Sequence, residues 1–314
     1  GVKSGFTCWV NGQEVGYSQD EFTPAEFDIT RYLKPGKNHL AVQVIRWTDG
    51  AYLENQDRIR LSGIIRDVYL FATPKAHIGD FFIQPDVTQS LERAEFSVDV
   101  ALRNTDTTTA KNRSLEVELI GPAGKTVLTQ KAKFPAVESG SSASVTLASE
   151  LADPLLWHTE EPHLYTALIK LFENGKVAEV IRQDVGFRRF DWDEKGNTYL
   201  NGKRYYMRGV NRSDCSPETG YYVDYADMLA DAVTMKELNI DSVRTSHNPS
   251  DIRWYAICNR MGITLVDEAN VEAHQHDVIF KSDAPNEEAW RKQSVWRMQN
   301  MVQRDKNMPS IIMW

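Results

Sequence analysis

The hydrophobic period changes at Phe187, and that change limits what the chain can fold into. Before it, apolar and polar residues alternate in short bursts such as Phe6-Thr7-Cys8-Trp9-Val10, Leu40-Ala41-Val42-Gln43-Val44-Ile45, Phe96-Ser97-Val98-Asp99-Val100 and Leu115-Glu116-Val117-Glu118-Leu119. A period of two sends successive side chains to opposite faces of a strand, so these bursts predict sheet. Asn11-Gly12 and Lys34-Pro35-Gly36-Lys37-Asn38 are turn signals, and they make residues 1–75 an antiparallel β domain. Residues 76–187 keep the alternation, with polar linkers at 104–112 and 138–144, which predicts a β-sandwich. The Thr-rich stretch Thr105 to Thr109 is expected to be a solvated hairpin loop.

Beyond Phe187 strands and helices alternate. Strands are predicted at 206–210, 242–246, 263–266 and 311–314. Between them, Asp224 with Asp227 opens a helix carrying Leu229, Val233, Met235 and Leu238, residues 250–260 form a second, and residues 286–307 a third with Trp290, Val295 and Met301. Pro309 ends the last helix before Ile311-Ile312-Met313-Trp314. Strand–helix alternation implies parallel βα units with right-handed crossovers. The segment 188–314 is thus the first half of an eightfold βα barrel, and half a barrel leaves its last strand an unpaired edge. A length of 314 residues accommodates the resulting multidomain β plus α/β architecture.

A formal charge of −8 with no block of Lys and Arg argues against nucleic acid, because phosphate backbones need clustered positive charge. The acidic surface suits a neutral ligand such as a sugar, and solubility explains it equally well. Cys8, Cys215 and Cys258 are odd in number and fall in no CxxC setting, so reduced, partly buried thiols are expected rather than disulfides or a zinc site. No apolar run is long enough to span a membrane, and the first ten residues lack a signal-peptide pattern. A cytoplasmic address is the expectation, with a signal peptide lost ahead of Gly1 as the alternative. Trp254 and Trp296, on predicted helices, read as core rather than as sugar-stacking platforms.

Three polar clusters follow successive barrel strands: Arg208-Gly209-Val210-Asn211-Arg212, Val243-Arg244-Thr245-Ser246-His247, and Val266-Asp267-Glu268-Ala269-Asn270-Val271-Glu272-Ala273-His274. The C-terminal ends of barrel strands are where such folds carry active sites. An i, i+2 pair such as Glu272 and His274 on extended chain points to one face, where a carboxylate and an imidazole can share a cation or simply be exposed polar residues. His276 adds a His-x-His that permits zinc, with no third ligand in view.

These motifs, with Trp47-Thr48-Asp49-Gly50-Ala51-Tyr52-Leu53-Glu54-Asn55-Gln56-Asp57 and Leu61-Ser62-Gly63-Ile64-Ile65-Arg66-Asp67-Val68, resemble those of β-galactosidases in glycoside hydrolase family 2, which also contains β-glucuronidases and β-mannosidases. The resemblance runs over essentially the whole chain. It implies a partial jelly-roll sugar-binding domain over 1–75, an immunoglobulin-like β-sandwich over 76–187 and the N-terminal half of a TIM-barrel catalytic domain over 188–314. It further implies Mg²⁺ held by Glu272 and His274, Na⁺ and a galactosyl hydroxyl at Asp57, sugar hydroxyls at His247 and Asn211, and Arg244 as partner of the nucleophilic carboxylate. Many β-galactosidases carry histidine where Ser213 stands, and a hydroxyl there reaches the sugar only through water or a local shift.

The implied reaction is retaining hydrolysis of terminal β-D-galactose from lactose-like β-galactosides, which needs two carboxyl groups about 5 Å apart. The resemblance puts the acid/base glutamate in a Gly-Asn-Glu just beyond Trp314 and the nucleophile further on. No catalytic carboxylate is therefore expected within these residues, and the chain alone is expected to be inactive. The expected partner is a β-galactoside substrate, with no membrane, and a homo-oligomer is compatible with the family. Two other readings stay open: a non-catalytic carbohydrate-binding or assembly fragment, and a sister activity on β-glucuronides or β-mannosides. A glucuronidase needs cations for the substrate carboxylate, for which the strand ends supply Arg208, Arg212 and Arg244.

Overall fold

The computed structural model describes residues 1–57, 59–273 and 288–314. At the front, Gly5–Val10 is the centre of an antiparallel sheet between Gln13–Ser18 and Leu40–Ile45. Asn11 and Gly12 both take positive φ, 52° and 82°, the requirement of the tight primed turn that their sequence predicts. Val2–Lys3 pairs separately with Gly63–Ile64. Residues 66–75 make no strand pairing and expose Val68, Tyr69, Leu70 and Phe71, so sheet covers only part of residues 1–75.

The next seven strands, from Ala76–Val87 to Lys176–Val185, form a three-stranded and a four-stranded antiparallel sheet. Alternate residues of each face inward, Phe96, Val98, Val100 and Leu102 from one sheet and Leu115, Val117, Leu119, Ala167, Ile169 and Leu171 from the other. This is the sandwich that the period of two predicts. Thr105 to Thr109 is solvated at most positions, but it is not a hairpin loop. It links Arg93–Asn104 in one sheet to Arg113–Ile120 in the other, because the chain must change sheets there to close the core.

Four parallel strands follow, Gly209–Arg212, Ser242–Thr245, Thr264–Val266 and Ile311–Met313, adjacent in chain order. The first starts later than 206–210 because Arg208 is held outside the ladder, its backbone N and guanidinium bonded to the Asp241 carboxylate. The first helix, Tyr225–Glu237, is capped by Asp224, whose side chain accepts from the Asp227 backbone N. Its buried stripe is Met228, Ala232 and Met235, one position round from the expected Leu229 and Val233, which are exposed with Leu238. The second helix, Ile252–Met261, is capped by Asp251 and stops at Gly262, with φ of 67°. A Cβ there would lie 2.5 Å from the Thr159 carbonyl oxygen, so only glycine fits both the left-handed turn and the close approach. Trp254, Tyr255, Ile257 and Cys258 of this helix pack under Val243 and Leu265 of the sheet.

The third helix, Glu288–Asp305, buries Arg297, Met301 and Asp305 at i, i+4 and i+8. Trp296 is 40% exposed, unlike Trp254, and so is not core: it sits one residue round the helix from the buried stripe. Ion pairs of this helix and of the residue after it join the three parts of the chain. Arg297 binds Glu54 of the first part with both side chains fully buried, and Lys306 binds Asp80 of the sandwich at 2.8 Å. Asn307 receives the backbone N of Ile83, and Arg188 donates to the carbonyls of Pro309 and Ile311. Cys8 and Cys258 are buried thiols, whereas Cys215 is exposed; all three are free. Among the described residues no helix is long and apolar enough to cross a membrane.

Candidate active site

The parallel register sets Asn211 beside Arg244, and Arg244 beside Val266, at the C-terminal ends of three adjacent strands. The Arg244 guanidinium spans the gap. Its Nε donates to Glu268, Nη1 reaches Asn211 Oδ1 at 3.4 Å, and Nη2 lies 3.1 Å from His247 Nδ1. The same His247 Nδ1 lies 3.0 Å from Glu268 Oε2. A bond from Nδ1 to this carboxylate leaves Nε2 as the ring atom that can meet a ligand hydroxyl. Arg244 and His247 remain partly exposed, with side chains 43% and 38% accessible. They form a polar cluster open to a ligand rather than a buried brace.

Glu268 is the residue that sequence reasoning left without a role. Its strand-end position was visible, but not that one carboxylate would serve both Arg244 and His247. The Ser213 hydroxyl donates to the Ser246 carbonyl, so it is engaged with the backbone beside His247.

The first β domain reaches into this cluster. Glu54–Asn55 pairs in parallel with Glu272–Ala273, and the Glu272 backbone N donates to Leu53 O at 2.6 Å. Gln56, buried, donates from Nε2 to the His247 carbonyl at 3.0 Å and to Asn270 Oδ1 at 3.2 Å. Asp57 follows directly on Gln56 and is exposed. Residues as far apart in sequence as Asp57, Glu272 and His247 are therefore tied to one short segment. Glu272 is a half-buried hard oxygen donor, the type that Mg²⁺ accepts. His274 and His276 lie outside the described residues, and among the described residues no three His, Cys, Asp or Glu side chains converge as a metal site.

The three arginines considered for a substrate carboxylate divide. Arg208 stands ahead of its strand, at the opposite end from the cluster, and is paired with Asp241. Arg212 is buried between Asp214 and Asp231. Only Arg244 faces the cluster, and it is paired with Glu268.

Beneath the cluster, Asp267 accepts from Thr245 Oγ1 at 3.0 Å and from the Tyr255 hydroxyl at 2.6 Å. Burial, with the neighbouring Asp305 carboxylate, pushes the Asp267 carboxyl up to about 7, while its hydrogen bonds and Arg304 pull the other way. A carboxyl raised on folding binds its proton more tightly folded than unfolded. The folded state therefore gains stability as pH falls from above 7 toward 4, and loses it as pH rises through 7. The thermal midpoint is expected to be higher near pH 5.5 than near pH 8, with Asp267→Asn flattening that difference; an equal slope in the variant would contradict the assignment.

Three family descriptions match consecutive stretches: the Glycosyl hydrolases family 2 sugar binding domain over residues 1–74, Glycosyl hydrolases family 2 over 76–188, and the Glycosyl hydrolases family 2 TIM barrel domain over 193–314. A β-galactosidase of Priestia megaterium is 39% identical over 321 residues, covering all of this chain and 31% of the relative. One from Enterobacter cloacae is 41% identical over 320 residues, covering 30% of the relative. The chain thus spans about a third of the length of the curated relatives it matches. Among solved structures, a Bacteroides uniformis β-glucuronidase superposes with a TM-score of 0.87 at 25% identity, over 99% of this chain and 37% of that one. A family 2 glycosyl hydrolase from Bacteroides cellulosilyticus gives 0.86 at 26% identity, over 100% and 41%.

Proposed function

The chain belongs to glycosyl hydrolase family 2, and on that premise we propose that the complete protein is a retaining β-galactosidase whose sugar site is built in part by these residues. The observation that carries the reading is the Asn211–Arg244–His247–Glu268 cluster on three adjacent strand ends, with the first β domain docked against it. In it His247 Nε2 and the Asn211 amide bind galactosyl hydroxyls. Arg244, whose fork also serves Glu268, keeps the nucleophilic carboxylate ionised once the rest of the barrel supplies it. The acid/base and nucleophile carboxyls belong to the part of the family fold outside these residues, so the chain alone binds and orients but does not cleave.

Glu272 and His274 would hold Mg²⁺, with Asp57 toward Na⁺ and a sugar hydroxyl. A divalent cation held there would supply positive charge that favours the ionised form of carboxyl groups near it. Free thiols in all three cysteines fit a reducing, cytoplasmic setting.

The likeness to β-glucuronidase structures gives a second reading, in which the substrate carries a carboxylate. The commitment of Arg212 and Arg208 to aspartates, and of Arg244 to Glu268, favours the uncharged galactoside. Nitrophenyl β-D-galactoside, β-D-glucuronide and β-D-mannoside offered to the complete protein with Mg²⁺ and Na⁺ separate the two. The galactoside is expected to be turned over at least about a hundredfold faster per KM, since one misplaced charged group costs a few kcal/mol; preference for the glucuronide would overturn the assignment.

A further inference from the structure

The Ser246–His247 backbone is gripped on both of its carbonyls. Ser213, from the end of the first barrel strand, donates to Ser246 O, and Gln56, from the first β domain, donates to His247 O at 3.0 Å. Gln56 is 3% exposed, and its amide is oriented by a second bond, to Asn270 Oδ1 at 3.2 Å. Asn270 is itself fully buried and donates from Nδ2 to Asp20 Oδ1 at 3.4 Å. The relay Asp20–Asn270–Gln56–His247 O therefore begins and ends on groups that cannot turn toward water. It lies where residues 54–55 pair with 272–273 and where Glu54 is locked by Arg297.

We propose that Gln56 is a positioning residue for the sugar site: a side chain of the β domain that sets the backbone, and through it the imidazole, of His247. The inference rests on the reading of His247 as a galactosyl-hydroxyl ligand. The Gln56 side chain has no direct part in the bond-breaking step. It acts on His247 from behind, through the carbonyl, while Glu268 accepts from the ring Nδ1 in front. Preorganisation of this kind costs affinity and rate when a ligand group is displaced by a fraction of an ångström.

The test is a double-mutant cycle on the complete protein, with nitrophenyl β-D-galactoside as substrate. Gln56→Met keeps the length and apolar volume of the side chain but cannot donate, and Gln56→Asn, smaller and still polar, serves if the methionine variant does not fold. The expected result is a roughly fivefold to tenfold fall in kcat/KM for the Gln56 variant, carried mainly by KM, from the loss of two buried donor contacts. In a His247→Ala background the same change should cost less than about twofold, because a residue acting through His247 has nothing left to position. A Gln56 variant within twofold of the parent, or one whose cost is the same with and without His247, would overturn the inference. Should His247→Ala alone leave kcat/KM unchanged, the sugar-ligand reading of His247 falls and the inference falls with it; the first two outcomes leave that reading standing.

Discussion

Replacing Arg297 by alanine is expected to cost about 3–5 kcal/mol of stability, the largest single loss anticipated in this chain, because it strands the Glu54 carboxylate in a fully buried position. Arg297 Nε and Nη2 both bond Glu54 Oε1, at 3.0 and 2.8 Å, and Nη2 also donates to the Gln19 carbonyl at 3.1 Å. Burial, with Glu21 nearby, pushes the Glu54 carboxyl well above the usual carboxylate range, and Arg297 pulls it back. Without the guanidinium that opposition disappears. Denaturant unfolding measures the loss, and the double variant Glu54→Gln/Arg297→Met should recover much of it, since an apolar or neutral replacement of a whole buried pair is often close to neutral. A single variant within about 1 kcal/mol of the parent would show that the pair does not hold the β domain to the barrel.

The second large effect concerns chemistry. Arg244→Ala in the complete protein is expected to lower kcat/KM for a nitrophenyl galactoside by about 10² to 10³, the scale of losing one preorganised charged partner. Arg244→Lys should rescue little. A point ammonium cannot reproduce a fork that reaches Asn211 and Glu268 at once. Because the side chain is 43% accessible, the folded stability of either variant should change little. Full activity in Arg244→Lys would mean that charge alone, without the fork, is sufficient.

Both effects depend on contacts of different legibility. The change of period at Phe187, the Asp224 and Asp251 caps and the positive-φ turn at Asn11-Gly12 are local features, decided by neighbours within a few residues, and the folded chain keeps them. The strand-end placement of Asn211, Arg244 and Glu268 was legible for the same reason, since a βα repeat fixes which end of each strand follows it. Arg297 and Glu54 stand 243 positions apart, and Gln56 and His247 stand 191 apart. Nothing in the local pattern of either segment announces its partner, and a helix whose buried stripe is Arg297, Met301 and Asp305 does not look amphipathic to a reading based on apolar spacing. Trp296 is therefore exposed where its aromatic character suggests core: the inward face carries two charged residues and one methionine. The Ser213 bond to the Ser246 carbonyl is equally invisible in the sequence, because a hydroxyl close to a strand end can bond any nearby carbonyl.

The proposed part of these residues, as the sugar-holding side of a retaining galactosidase, is tested most directly by following the anomeric proton of galactose released from nitrophenyl β-D-galactoside by the complete protein, with proton NMR in the first minutes of reaction. Retention predicts that β-galactose appears first and the α anomer only later by mutarotation. Initial release of the α anomer, or no galactose at all with Mg²⁺ and Na⁺ present, would contradict it.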